Sequence, residues 1–177
     1  ESGDGIVPTS STTTQLAVGD ALSIALMKKR KFGKLDFKKV HPGGNLANKL
    51  KTAKELMLVK NKIPLVFEDQ TIKKTLKILN FKRQGFVVII NKNKLTTGVF
   101  TDGDLKRLMQ KKRNINNLKI KNFMNKKLFM VEENILATEV LSLMNRKKIT
   151  NVCVYKKENK RKTIGVLHIH NLIENLK

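Results

Sequence analysis

The residues of this chain best equipped for chemistry stand where an apolar run gives way to a helical pattern. In Gly98-Val99-Phe100-Thr101-Asp102-Gly103-Asp104-Leu105 a hydroxyl and carboxylates arrive together at the first turn of a helix. There the Thr101 hydroxyl and the Asp104 carboxylate can hold a phosphate edge and ribose hydroxyls at once, while free backbone N–H groups favour an anion. Thr101 or Asp102 can equally be a plain helix cap, and the spacing leaves both roles open. At an offset of 67 residues, His168-Ile169-His170-Asn171 takes the corresponding place, with His168 and Asn171 standing for the Thr and the Asp. Two histidines spaced by two, with His41 far off in sequence, have no carboxylate or cysteine set beside them, so no metal site is expected. The single cysteine, Cys153, lies in the apolar run Val152-Cys153-Val154 and reads as a core residue. A lone thiol argues against a disulfide framework and for a reducing, cytoplasmic setting.

Three sections must position these groups. The first, about residues 1–50, carries the polar run Pro8-Thr9-Ser10-Ser11-Thr12-Thr13-Thr14 and then an apolar helical stretch through Leu16, Ala17, Ala21, Leu22, Ala25 and Leu26. Its hydroxyl residues are expected to cap that helix. It ends in the tight turn Val40-His41-Pro42-Gly43-Gly44 and a short helix-like piece, too little to enclose a core of its own. The section is therefore expected to pack on something further, and the absence of an initial Met suggests a start partway along a longer protein.

The remaining two sections form a repeat. Ala53-Lys54-Glu55-Leu56-Met57 matches Ile120-Lys121-Asn122-Phe123-Met124, and Gly98-Val99-Phe100 matches Gly165-Val166-Leu167, both at 67 residues. Each copy has a helical stripe, Ile72, Leu76 and Leu79 or Leu136, Val140 and Leu143. A strand-like run follows, Phe86–Ile90 or Asn151–Tyr155, then a charged turn, a Gly-led strand and a last helix, Asp102 to Met109 or Ile169 to Leu176. The order helix, strand, strand, helix predicts an α/β (α+β) architecture: two small sheets with flanking helices, each covering the other's exposed face.

Composition excludes some classes and leaves others. No run approaches the roughly 18 apolar residues of a membrane-spanning helix, so no membrane partner is expected. The formal charge of +23, from 37 Lys and Arg against 14 Asp and Glu, invites a nucleic-acid partner. Yet 31 of the basic residues are Lys, they are spread through nearly every segment, and aromatic residues are scarce. Lys shares AT-rich codons with the abundant Asn and Ile, so genome bias accounts for much of the charge and nucleic acid is disfavoured. The clusters Lys28-Lys29-Arg30-Lys31 and Lys111-Lys112-Arg113 follow apparent helices, where cations suit the negative dipole end.

The repeat and its Gly-Val-Phe-Thr-Asp-Gly-Asp motif resemble a tandem pair of cystathionine-beta-synthase (CBS) domains, covering 51–113 and 118–177. The resemblance implies a ligand cleft in which Thr101 and Asp104, and in the second copy His168 and Asn171, contact a nucleotide. His168 and Asn171 depart from the general pattern of that motif. A narrower resemblance takes in the Pro8-Thr9-Ser10-Ser11-Thr12 run, Gly19-Asp20-Ala21-Leu22, His41-Pro42-Gly43-Gly44 and Gly165-Val166-Leu167-His168-Ile169-His170. In this order they are similar to the arabinose-5-phosphate isomerase family, in which a sugar-isomerase (SIS) domain precedes the CBS pair. Residues 1–50 would then be the C-terminal helical remnant of the SIS domain. The family interconverts D-ribulose 5-phosphate and D-arabinose 5-phosphate on the route to the lipopolysaccharide sugar Kdo. The resemblance implies Glu1 as the base that moves a proton between C1 and C2, and His41 as acid/base for ring opening or hydroxyl protons. Further catalytic groups would lie upstream, so the chain by itself is expected to be inactive. It also implies a sugar phosphate substrate, no required cofactor, and an effector such as AMP, ATP or the nucleotide sugar CMP-Kdo. A homo-oligomer, by family a tetramer, is implied as well. The alternative is a free-standing nucleotide-sensing CBS module.

Overall fold

A computed structural model describes residues 5–41, 43–112 and 114–176, with the side chains of residues 45–47 left aside. The chain divides into two compact units, Glu1–Ala47 and Asn48–Lys177. In the first, α1 (Thr9–Lys29) is followed by α2 (Lys34–Val40) and the start of α3 (Gly44–Lys49). Apolar residues lie all round α1, and it buries none of them. Such a helix is made to be enclosed by a larger body. Its hydroxyl run does not cap it. The helix already begins at Thr9, so Thr12, Thr13 and Thr14 fall inside and donate back to the carbonyls of Pro8, Thr9 and Ser10 at 2.8–2.9 Å. A hydroxyl that far along has no free N–H to accept from, and a carbonyl one turn back is its nearest partner. The last turn carries Lys28 and Lys29, in keeping with the helix dipole.

The second unit contains α4 (Ala53–Leu56), β1 (Leu58–Val59), β2 (Leu65–Phe67), α5 (Ile72–Lys82), β3 (Phe86–Ile90), β4 (Thr96–Thr101) and α6 (Asp102–Lys111). After a short 3-10 turn at Ile120–Asn122 come β5 (Met130–Glu132), α7 (Ala137–Lys147), β6 (Asn151–Lys156), β7 (Asn159–His168) and α8 (Ile169–Asn175). One sheet has the order β2-β3-β4, the other β1-β7-β6-β5. In each copy a three-residue strand runs parallel to the central strand, which pairs antiparallel with the Gly-led strand.

All five residues of β3 are buried, because both of its faces are covered. Val87 and Ile89 face a core with Ile72 and Leu79 of α5 and Leu108 of α6, while Phe86, Val88 and Ile90 meet Cys153 and Val166 of the other sheet. The two sheets thus stack on each other with helices outside, as two half-buried sheets require. Cys153 lies in this middle layer, where burial pushes its thiol up to about 11 and keeps it protonated and inert.

The openings of the two copies are exchanged. Ala53, Leu56 and Met57 pack in the core of the second copy, and Ile120, Phe123 and Met124 in that of the first. Backbone bonds tie each in place, Ala53 N–H to the Ile135 carbonyl and Ile120 N–H to the Gln70 carbonyl, at 2.8 and 2.9 Å. Leu58 pairs with Val166 in β7, and Asn125 bridges to Val99 in β4. Sequential grouping alone places both openings with their own copies; in space each closes the other's.

Candidate functional site

Two strand-to-helix corners face one cavity. Phe86 pairs with Thr101 across β3 and β4, and Asn151 pairs with His168 across β6 and β7, so positions 101 and 168 are structural equivalents. The corners are braced alike: Asp102 N–H donates to the Gly85 carbonyl at 3.1 Å and Ile169 N–H to the Thr150 carbonyl at 2.9 Å. A cavity of about 500 Å³ opens there, lined on one side by Gly85, Thr101, Asp102 and Gly103 and on the other by Lys148, Thr150, Asn151 and His168. Asn125, Lys127 and Phe129, from the stretch leading into β5, also line it, with Phe86, Val99, Val152 and Cys153 of the sheets among the apolar remainder. The volume suits a small organic ligand.

Thr101 and Asp104 form a capping box on α6. The Thr101 hydroxyl donates to Asp104 Oδ2 at 2.8 Å and accepts from the Asp104 N–H at 3.2 Å, and the Thr101 N–H donates to the same carboxylate at 3.0 Å. Arg107 holds the other oxygen of Asp104 in an ion pair. Thr101 is part of the cavity wall; Asp104 is not, and the acidic residue on the wall is Asp102. In the second copy His168 is on the wall and Asn171 is not. Asn171 gives its carbonyl to Asn175 Nδ2 at 2.8 Å.

His168 caps α8 with its ring, Nδ1 accepting from the His170 N–H at 3.2 Å, and stacks on the His170 ring with centroids 5.0 Å apart. A backbone N–H can only donate, so Nδ1 is unprotonated and the neutral ring carries its proton on Nε2. Burial first, and the charge of His170 second, hold the His168 pKa below its ordinary 6.5. The unfolded chain therefore takes up a proton more readily than the folded one. Stability from this group is complete above pH 6.5 and is lost as pH falls through the folded value. His168→Thr, whose hydroxyl caps at any pH, is expected to show a smaller loss of melting temperature between about pH 7.5 and 5.5 than the wild type. Equal losses would remove His168 as a source of the acid sensitivity.

The sequence reading missed several groups on the wall. Lys148 sits in the left-handed residue that ends α7, as Arg83 does after α5. Asn151 begins β6, its Nδ2 donating to Thr150 Oγ1 at 3.0 Å while its Oδ1 is buried without a hydrogen-bond partner. Lys127 follows Asn125, whose Oδ1 accepts its N–H. Asp102, weighed in the sequence only as a helix cap, is on the wall as well; the lysines are hidden among many.

The implied catalytic residues belong to the first unit. Glu1 lies outside the described residues. His41, exposed at the end of α2, stacks on Phe37 at 4.0 Å, and its Nδ1 lies 3.2 Å from the Phe37 carbonyl. A carbonyl can only accept, so here Nδ1 carries the proton and the neutral ring keeps Nε2 as a free base, the reverse of His168. Among the described residues no group of three or more His, Cys, Asp or Glu is placed to hold a metal ion, and no helix is long and apolar enough to cross a membrane.

Comparison with known proteins agrees with the repeat. The CBS domain model matches residues 53–111 and 120–177. The chain is 38% identical over 170 residues to arabinose 5-phosphate isomerase KdsD of Escherichia coli (strain K12), and 37% identical over 170 residues to the Yersinia pestis protein of that name. In both cases the match covers 96% of this chain and 51% of the relative, so the chain spans about half the length of these curated relatives. Among solved structures, the CBS domains of a transcriptional regulator from Streptococcus pneumoniae align with a TM-score of 0.61 at 20% identity, over 71% of this chain and 98% of theirs. CBSX2, solved in complex with AMP, aligns with a TM-score of 0.57 at 19% identity, over 70% of this chain and 93% of its own.

Proposed function

The chain belongs to the CBS domain family, and from that premise we propose that it is the regulatory C-terminal part of an arabinose-5-phosphate isomerase, sensing a nucleotide or nucleotide sugar in the cavity between its two copies. The observation that carries the reading is the reach of the isomerase similarity. It takes in 170 of 177 residues, well beyond the CBS segments and into the unit that holds His41. The apolar surface of α1, with Leu16 and Leu22 more than half exposed, is what a preceding sugar-isomerase domain would enclose.

Aldose and ketose exchange by moving a proton between C1 and C2 through an enediol, which needs a base at carbon and a shuttle for hydroxyl protons. Glu1 takes the first role and His41 the second. The free Nε2 of His41 accepts a hydroxyl proton, and stacking on Phe37 with the Nδ1–H bond to its carbonyl fixes the ring. The remaining catalytic groups belong upstream. In the cavity, AMP bound to the structural neighbour CBSX2 supports a nucleotide, as do the cationic Lys127 and Lys148.

The test is a chimera in which this chain replaces the matching half of the Escherichia coli relative, assayed with D-ribulose 5-phosphate. The chimera is expected to form D-arabinose 5-phosphate, the 177-residue chain alone to form none, and His41→Ala in the chimera to lower kcat about 100-fold. Activity of the chain alone, an inactive but folded chimera, or full activity of His41→Ala would overturn these assignments.

A further inference from the structure

We propose that two copies of this chain join through the open edge of β2, antiparallel about a twofold axis at Val66, so that their three-stranded sheets become one sheet of six strands. β2 is an outer strand, and its ladder fixes which groups it leaves outside. The Pro64 carbonyl accepts the Val88 N–H at 2.8 Å and the Glu68 N–H donates to the Ile90 carbonyl at 2.9 Å, so positions 64, 66 and 68 face β3. The backbone groups of the alternate positions, Leu65 and Phe67, then point to the open side. Half of these are already used. The Leu65 N–H donates to the Ile63 carbonyl, and the Phe67 carbonyl accepts from the Gln70 N–H, each at 3.0 Å. What the edge still offers is one acceptor, the Leu65 carbonyl, and one donor, the Phe67 N–H.

These two groups complement each other, which makes a second copy the partner. Pairing about Val66 sets Leu65 of one chain opposite Phe67 of the other, carbonyl to N–H, and the twofold axis repeats the bond. The side chains agree with this. Register places Leu65 beside Val88 and Phe67 beside Ile90, on the face that the other sheet covers at β3 but leaves open at the rim, where Leu65 is 37% and Phe67 45% exposed. Across the seam each would pack on the other. The outward positions of an exposed edge more often carry lysine, which keeps other chains away. The corresponding strand of the second copy, β5, has Met130 and Glu132 in these places, both half-buried, so the apolar rim belongs to the first copy alone. Antiparallel pairing also brings Lys60 and Lys62, before β2, alongside Glu68 and Asp69, after it. Asp69 is paired with Lys121, and Glu68 has no ion pair among the described residues. Between chains of charge +23, opposite charges at the two ends of the seam favour this approach over others.

The experiment mixes 177-residue chains carrying Leu65→Cys with chains carrying Phe67→Cys under mild oxidation. Facing positions of such a pair lie about 5.5 Å apart at Cα, within reach of a disulfide, while like positions are two residues out of register. The mixture is therefore expected to form a cross-linked dimer and either chain alone to form little; the native thiol, Cys153, is buried and stays out of the exchange. By sedimentation the wild type is expected to dimerise. Leu65→Lys with Phe67→Lys is expected to weaken the dimer at least about tenfold and to melt within a few degrees of the wild type, because both side chains are already partly exposed. No cross-link in the mixture, single chains that cross-link as readily as the mixture, a wild type that stays monomeric at its highest soluble concentration, or a dimer that survives the lysines would each overturn the pairing. Should the lysine variant melt early, Phe67→Glu, which gives β2 the residue that β5 carries in the same place, is judged by the same criteria.

Discussion

Gly165→Ala is expected to destabilise the CBS pair by about 2–3 kcal/mol, measured by equilibrium urea unfolding. Gly165 is buried within β7, and the exchanged opening of the first copy lies directly on it. A methyl group there would meet Sδ, Cγ and Cβ of Met57, with Cγ at 2.7 Å and Cβ at 3.0 Å, closer than real side chains pack. Sδ and Cγ must be driven aside in the packed core, while Cβ, at 3.0 Å, needs its surroundings to give by only a few tenths of an ångström. Met57→Ala removes most of the obstacle, so Gly165→Ala made in that background is expected to cost less than about 0.5 kcal/mol. Gly98 stands under Met124 in the same way, with an added methyl 2.6 Å from Sδ and 3.1 Å from the Asn125 carbonyl oxygen. That carbonyl belongs to the backbone and bonds the Val99 N–H at 3.0 Å. Truncating Met124 should therefore rescue Gly98→Ala less completely. A Gly165→Ala cost that is the same in the wild-type and the Met57→Ala backgrounds would show that the methionine is not the source.

The same four residues show how far the sequence could be read. The spacing of 67 identified Met57 with Met124 and Gly98 with Gly165, and those pairs anchored the repeat. Periodicity cannot tell which methionine rests on which glycine, because an exchange between equivalent copies leaves the spacing unchanged. The longer elements, α5 and α7 with their apolar stripes and the runs Phe86–Ile90 and Asn151–Tyr155, were legible as helix and strand. β2 and β5 were not: three residues are too few to establish a period of two. At the cavity, Thr101 and His168 could be placed because each sits at a strand-to-helix corner whose chemistry is local. Lys127, Lys148 and Asn151 come from three separate connections that only folding brings together. In a chain with 31 lysines, two on a cavity wall carry no mark of their own.

Thr96→Val is expected to cost about 2 kcal/mol in the same unfolding measurement, and Thr163→Val about 1 kcal/mol, although the two threonines are equivalents in the repeat. They meet across the stacked sheets, buried, with their hydroxyl oxygens 2.7 Å apart. Each lies where the strand register slips, opposite Ile90 in the first sheet and Tyr155 in the second. The contact is lopsided. Thr96 Oγ1 also accepts the backbone N–H of Thr163 at 3.1 Å, so a valine at 96 leaves both that buried N–H and the Thr163 hydroxyl without their partner. A valine at 163 removes only the hydroxyl, and Thr96 keeps the backbone bond. The Cys153 thiol, which bonds the Thr163 side chain, loses a partner too, but sulfur bonds are weak and add little. Valine fills nearly the volume of threonine at both positions, so the difference between the variants reports hydrogen bonding rather than a cavity. Equal costs, or a larger cost at Thr163, would mean that the burden falls on the hydroxyl pair alone and that the backbone bond across the sheets contributes nothing.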